Sequence, residues 1–300
     1  MATLRITKRL EKRFTFERIR ESRWRKTVAT TLTYITVICY LIVVLFPIFW
    51  MVSTGVKMNK NVAKMPPEFW PAEPSFQGFK FLFTQEKIIW TFFKNSFIVG
   101  FSVVAICVGA GSFAGYALSR FPFRGSRGLM LFILASQMFP TVVMLIPIYL
   151  IFVKVGLIDT HFAVILMHTS ITMPFCIWIL KGFFDTIPVD MEEAAHIDGC
   201  GRFGILWRIV FPLIGPGVVA AGIYSFLLSW NEYIFASILT SKLEMRTLPT
   251  GLYITYLGQY EHRWSDVMVA ALAFTLPIII IYVFFQKYVV GGLLGGAIKG

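Results

Sequence analysis

Charge is what this sequence most lacks. Asp, Glu, Lys and Arg make up 15% of its 300 residues, where a soluble domain carries about 25%. Hydrophobic residues reach 57% and the mean hydropathy is +0.71. Disorder, collagen and a disulfide-framed scaffold are excluded by the same composition. Cysteine is sparse too: Cys39, Cys107 and Cys176 fall in long uncharged runs and Cys200 in a charged loop, with no C-x-x-C pair. Neither a disulfide frame nor a zinc site is indicated, and buried free thiols are expected. No G-x-x-x-x-G-K-S/T phosphate loop, H-E-x-x-H helix or G-x-S-x-G elbow occurs. Nucleotide binding of the P-loop kind is thereby excluded, and an intramembrane hydrolase is disfavoured.

What is present is a regular alternation. Uncharged runs cover 27–56, 95–119, 128–153, 160–180, 209–231 and 267–286, the shortest being 20 residues. A helix needs about 20 residues to cross the hydrocarbon layer. The expectation is an all-α integral membrane protein with six transmembrane helices. It divides into a basic segment 1–26, a first helix and outer loop 27–94, a core of five helices 95–286 containing loop 181–208, and a tail 287–300. The loops and termini on one side hold 18 Lys/Arg in 76 residues, against 10 in 79 on the other. Both termini are therefore expected in the cytoplasm. The first run follows ten Lys/Arg and exceeds the roughly 7–15 residues of a signal h-region, so it is expected to stay as an anchor. In the basic segment, Leu4, Ile6, Leu10, Phe14 and Trp24 interleave with Arg and Lys. A short helix on an anionic membrane surface suits that pattern better than nucleic-acid binding.

Within the runs the most deeply placed polar groups are Ser136, Gln137, Thr141, His168, Ser170 and Thr172. Ion-driven carriers use ionisable or ion-coordinating groups near mid-membrane, and a lone His168 serves interhelical hydrogen bonding more readily than proton shuttling. Energy for transport must then come from elsewhere. Gly111-x-x-x-Gly115 gives the second run a small-residue face for close helix approach. Pro47, Pro140, Pro147, Pro174, Pro216 and Pro277 interrupt the runs. Ser136, Gln137, Pro140, Thr141 and Pro147 together suggest either a helix lining a polar path or simple kinked packing.

The loop between the fourth and fifth runs is different. Pro188 and the acids Asp190, Glu192 and Glu193 suit a helix start, and Gly199 suits its stop. A helix of two to three turns is expected. After Gly199-Cys200-Gly201, the residues Phe203, Leu206, Trp207 and Val210 recur at helical spacing before Pro212. Such an amphipathic element suits insertion into another protein's groove.

Glu193-Ala194-Ala195, three residues, Gly199, nine residues, Ile209, one residue and Phe211-Pro212 resemble the E-A-A loop of ABC-importer permeases. Only Phe211, in place of Leu, departs from the pattern. Gly156-Leu157-Ile158-Asp159-Thr160, Gly182-Phe183-Phe184, Ser229-Trp230-Asn231-Glu232-Tyr233 and the ending Ala297-Ile298-Lys299-Gly300 resemble the MalG-type subunits of carbohydrate importers.

The resemblance, over roughly residues 30–300, implies the type I importer permease fold and no catalysis on this chain. It implies a second, homologous permease, two copies of an ATPase subunit that bind ATP and Mg, and a solute-binding protein outside. The helix at Glu193, Ala194, Ala195, Asp198 and Gly199, with Ile209 and Pro212 following, would dock in the ATPase. The tail Gly292–Gly300 would reach the ATPase interface, although Leu294 stands where Thr is common. Leu257, Gly258, Gln259 and Tyr260 would form the tip of a loop entering the binding protein. Gln137, Thr141 and Asn231 are expected to line the path. Trp230, Tyr224 and Tyr233 suit either sugar stacking or interfacial anchoring. The first outer loop carries a net +3, which an acidic oligosaccharide would exploit; an acidic binding protein or lipid head groups would use the same field. A secondary carrier or channel for a small polar solute is the other class, and it leaves the loop at 188–212 without a role.

Overall fold

The computed structural model describes residues 2–84, 87–121, 123–257 and 263–297, with side chains for 24, 26–83, 88–121, 123–256 and 263–287. Among the described residues the secondary structure is helical, without strands. In chain order the helices are α1 (Ala2–Gly55), α2 (Gln77–Thr84), α3 (Lys87–Arg120), α4 (Ser126–Ala135), α5 (Leu145–Lys154), α6 (His161–Phe184), α7 (Asp190–Ile197), α8 (Arg202–Ile205), α9 (Phe211–Leu213), α10 (Gly215–Asn231), α11 (Ile234–Leu239), α12 (Leu248–Leu252) and α13 (Trp264–Ala297). Four stretches are long and apolar enough to cross a membrane: Lys26–Gly55, Ile88–Arg120, His161–Phe184 and Trp264–Lys287.

The third and fifth runs, expected as single helices, are bent. Ser126–Met138 meets Thr141–Lys154 at 85°, and Arg202–Leu213 meets Gly215–Asn231 at 77°, giving four to six spans according to whether each pair counts as one. Pro140 explains the first bend. The residue before proline is pushed out of the α region, and Phe139 is extended with ψ 128°. At the second bend Pro212 removes a backbone donor; the chain relaxes through a π turn at Leu206–Val210 and breaks at Ile214, before Gly215-Pro216 restarts α10.

The centre of the bundle is α3 packed along α6, and the G-x-x-x-G face is the reason they approach. A Cβ at Gly115 would lie 3.0 Å from the Lys181 backbone nitrogen, and one at Gly111 would lie 3.3 Å from Cys176 Sγ. Around this contact Val99, Val103, Cys107, Val164, Leu180, Phe184, Val210 and Ala221 form one apolar core. A second core joins Phe92, Phe226, Trp230, Leu248 and Val269. In contrast, none of the apolar window of Lys26–Gly55 is buried by the rest of the chain. Its end is tied down where Ser265 Oγ donates to the Gly55 carbonyl at 3.0 Å.

The side chains of residues 1–23, on which the interfacial reading of the basic segment rests, lie outside the described residues. In the first outer loop Lys57 is buried, donating to the Glu68 carbonyl at 2.5 Å over the Trp50 ring, and Lys64 pairs with Glu68 at 2.7 Å. Both lysines are held by contacts within the loop, which leave its net charge of +3 unchanged.

Candidate functional site

Two regions concentrate polar chemistry, one beyond each end of α6. Past Phe184 the chain turns into α7, and its acids Asp190, Glu192 and Glu193 sit in the first turn, where the helix dipole favours them. The stop is a Schellman pair: Gly199 N donates to His196 O at 3.0 Å and Cys200 N to Ala195 O at 3.0 Å. Gly199 has φ +87°, with nothing within 4 Å of a Cβ position. Glycine is needed there for conformation, not for space.

This short helix has two faces. Glu192 and Ala195 turn inward, Ala195 joining the main core, while Glu193, Ala194, His196, Ile197 and Asp198 are exposed. Of the residues expected to face a partner, the structure therefore turns Ala195 toward its own chain. Ile197 is 86% exposed and Phe203 is 73% exposed, an apolar pair flanking the Gly199 turn. Leu206 and Val210 are buried and Trp207 is half exposed, with its ring stacked on Phe211. Ile209 is partly buried against the core and Pro212 is exposed.

Inside the helix lies a cluster that sequence reasoning missed. Arg120, the last residue of α3, pairs through Nε with Glu192 Oε1 at 2.6 Å, and Tyr116 Oη donates to Glu192 Oε2 at 2.7 Å. Arg120 was a loop-boundary charge and Glu192 one acid among three, so spacing alone did not join them across 72 residues.

The second region lies near the start of α6. A cavity of about 470 Å³ is lined by Thr141, Ile171, Tyr224, Leu228, Asn231, Glu232 and neighbouring apolar groups. Thr141, at the α4–α5 bend, and Asn231, ending α10, are thus brought together in the wall of one cavity. Gln137 is exposed on the preceding turn and is not among the lining residues. Tyr224 lines the cavity, with its ring 4.6 Å from Phe175. Trp230 is 1% exposed, stacked on Phe226 and Phe274, so it is neither a sugar platform nor an interfacial anchor. Tyr233 sits edge-on to Tyr253 beside a separate apolar cavity.

Glu232, in sequence the charge that ends the fifth run and a member of the Ser229–Tyr233 motif, has a definite set of partners. Its carboxylate accepts from His168 Nε2 at 2.8 Å and from the amides of Phe235 at 2.8 Å and Ala236 at 3.0 Å. His168 Nδ1 bonds Ser229 Oγ at 2.9 Å. Both ring nitrogens of His168 are thus engaged, Nε2 by the carboxylate and Nδ1 by the serine hydroxyl. His168 thus ties helices together, the bonding role expected of it, with a carboxylate as its partner. Signal for the pair existed in the sequence, since a buried histidine calls for an acceptor, but nothing there identified which one.

At the same end, Asp159 takes φ 59° and its Oδ1 accepts from the amides of Ser241 and Lys242, the latter at 2.8 Å. Thr160 caps α6 by accepting from Ala163 N at 3.2 Å. These bonds are what Gly156-Leu157-Ile158-Asp159-Thr160 does. Of the loop tip expected at Leu257–Tyr260, Gly258, Gln259 and Tyr260 lie outside the described residues, as does the Leu257 side chain. The last three residues of the tail, 298–300, are likewise outside them.

Comparison with known proteins bears on both regions. Residues 107–294 match the family described as binding-protein-dependent transport system inner membrane component. The sulfoquinovosyl glycerol transport system permease protein SmoH of Agrobacterium fabrum is 34% identical over 256 residues, spanning 85% of this chain and 89% of that protein. The diacetylchitobiose uptake system permease protein DasC of Streptomyces coelicolor is 31% identical over 266 residues, spanning 89% and 96%. A chain in the crystal structure of a bacterial ABC transporter involved in the import of the acidic polysaccharide alginate superposes with a TM-score of 0.74 at 23% identity, covering 87% of this chain and 96% of that one. At that identity the likeness establishes a shared fold.

Proposed function

The chain belongs to the family of binding-protein-dependent transport system inner membrane components, and from that premise we propose that it is one of two homologous permease subunits of an ATP-driven importer for a sugar or oligosaccharide. Relatives named for sulfoquinovosyl glycerol and for diacetylchitobiose support a carbohydrate as the solute. Counting each bent pair as one span gives six membrane helices with both termini in the cytoplasm, in line with the Lys/Arg bias. A solute-binding protein delivers the solute outside. Two copies of an ATPase subunit bind ATP and Mg inside; this chain carries no phosphate loop and performs no catalysis.

The observation that carries this reading is the two-faced helix α7. Its inward face is fixed by Glu192 and Ala195, which leaves Glu193, Ala194, Ile197 and Asp198 outward, beside Gly199, as a preformed element for an ATPase groove. Thr141, Asn231 and Tyr224 around the outer cavity support a path for a hydroxylated solute. The His168–Glu232 pair is the one feature favouring a proton-coupled carrier. However, its carboxylate is already bonded to two backbone amides, which is a structural duty, and a carrier gives α7 no role.

Uptake by the complete importer in proteoliposomes tests the proposal. Sugar should enter only with ATP inside and binding protein outside. Uptake driven by a proton gradient without ATP would overturn it.

A further inference from the structure

We propose that Arg120, Glu192 and Tyr116 form the strut through which α7 moves the membrane helices, which makes them positioning residues for transport; this rests on the reading of α7 as the ATPase contact. Glu192 and Glu193 are adjacent yet differ in burial, Glu192 lying against its own chain while Glu193 is exposed. Glu193 meets whatever docks on α7. Glu192 passes the displacement inward.

The geometry is that of a clamp. Both carboxylate oxygens of Glu192 are engaged, Oε1 by Arg120 Nε at 2.6 Å and Oε2 by Tyr116 Oη at 2.7 Å. Arg120 Nη2 also donates to the Ile187 carbonyl at 2.9 Å, in the segment leading into α7. Tyr116 and Arg120 are four residues apart on α3 and so share one face. One turn of α3 therefore holds both the first turn of α7 and the chain before it. A second tie runs alongside, from Ser119 Oγ to Asp185 Oδ1 at 2.6 Å and from Lys181 Nζ to Asp185 Oδ2 at 2.6 Å.

The pair is shielded from water. The Arg120 side chain is 8% exposed and that of Glu192 is 11% exposed. A charged contact that is desolvated and fully bonded resists slipping, because breaking it strands both charges. Chain continuity offers no such stiffness. The flanks of α7 are turns, Pro188-Val189 on one side and Gly199-Cys200-Gly201 on the other.

Where the strut leads also matters. α3 packs through Gly111 and Gly115 on α6, and its Val104 lies 3.7 Å from a Cβ at Gly222 of α10. Further along, Phe92 closes over Gly251 of α12. A shift of Arg120 is thus delivered to the helix that touches α6, α10 and α12 together. An effector moves an equilibrium only through contacts that differ between states, and this strut carries the effector's contact to the helices that change.

The test uses the complete importer, with its ATPase, partner permease and binding protein, in lipid nanodiscs and proteoliposomes. For each variant, three quantities are measured: ATPase retained per permease, ATP hydrolysis stimulated by loaded binding protein, and sugar uptake per ATP. Arg120→Gln and Glu192→Gln should keep the ATPase bound while stimulation and uptake per ATP fall about tenfold, the scale of a coupled-pair interaction. Tyr116→Phe, which removes a single bond, should lower both about threefold. The exchange of Arg120→Glu with Glu192→Arg should recover several-fold over either change alone. Full stimulation and uptake in an assembled Arg120→Gln complex would overturn the strut while leaving the docking of α7 intact. If wild-type α7 shows no cross-link to the ATPase, the docking reading falls and the strut with it. Should Arg120→Gln fail to assemble, Tyr116→Phe decides: wild-type coupling in that variant overturns the proposal.

Discussion

Replacing Glu232 with Ala removes one acceptor that three donors share. His168 Nε2 and the amides of Phe235 and Ala236 all lie within 3.0 Å of its carboxylate. His168 is 1% exposed, Phe235 is 2% and Ala236 is 0%, so all three donors are buried in the intact chain, and only water entering from the cavity that Glu232 lines can replace part of the lost bonding. A buried donor left without a partner costs about 1–3 kcal/mol. The two amides belong to the first turn of α11, where losing a cap costs about 0.5–2 kcal/mol. Because one relaxation serves neighbouring donors, the separate costs do not add in full, and about 3 kcal/mol is expected. At roughly 2–4 °C per kcal/mol for a chain of this size, the apparent unfolding temperature should fall by about 6–12 °C. Glu232→Gln keeps a carbonyl for the α11 amides or for His168, but not for both, and should lose about half as much. The assay is thermal challenge of the detergent-solubilised importer followed by size-exclusion detection of intact complex. A Glu232→Ala complex within about 1 °C of wild type would refute the latch at α6, α10 and α11.

Other substitutions separate the causes proposed above. Gly115→Ala places a Cβ 3.0 Å from backbone of α6 and should cost about 1–3 kcal/mol, whereas Gly109→Ala, with nothing within 4 Å, should be neutral or gain about 0.5–1 kcal/mol; thermal shift of the two variants compares them directly. Gly199→Val forces a β-branched residue to φ +87° and should weaken ATPase co-purification and uptake, while Gly199→Asn should retain most of both. Asp159→Ala loses the acceptor for two amides while keeping a left-handed backbone, and should cost about 2 kcal/mol. Asp159→Asn keeps a carbonyl oxygen and tolerates that backbone, so its loss of thermal stability should be under about 1 kcal/mol.

Much of the fold was legible because membrane helices are written in charge. Four of the uncharged runs mark single long helices and the other two mark bent pairs, and Gly111-x-x-x-Gly115 marks where α3 and α6 meet. The bends were less legible. Pro140 and Pro216 stood among the interrupting prolines, as did Pro47, Pro174 and Pro277, which lie inside continuous helices; whether a proline kinks a helix or splits it depends on which neighbours receive the freed carbonyls, and those are tertiary facts. In the loop, Pro188 and Gly199 delimited α7 because their backbone demands are local. Which way Glu192, Glu193 and Ala195 point was not local: it depends on Arg120, 72 positions earlier. The same holds for Glu232, whose partner His168 lies 64 positions away, and for Trp230, whose place at a run end disguised a core residue. Pairings at such separation leave no periodic trace in a single sequence.

The central claim is that the outward face of α7 meets an ATPase, and a photo-cross-linking residue at Ile197, the most exposed of its apolar groups, tests it most directly. In membranes containing the whole importer, irradiation should join this chain to a co-purifying P-loop ATPase, and a cross-linker placed at the inward Ala195 should not. A chain that purifies free of any ATPase, gives no product from Ile197 and still moves solute into vesicles would contradict the account.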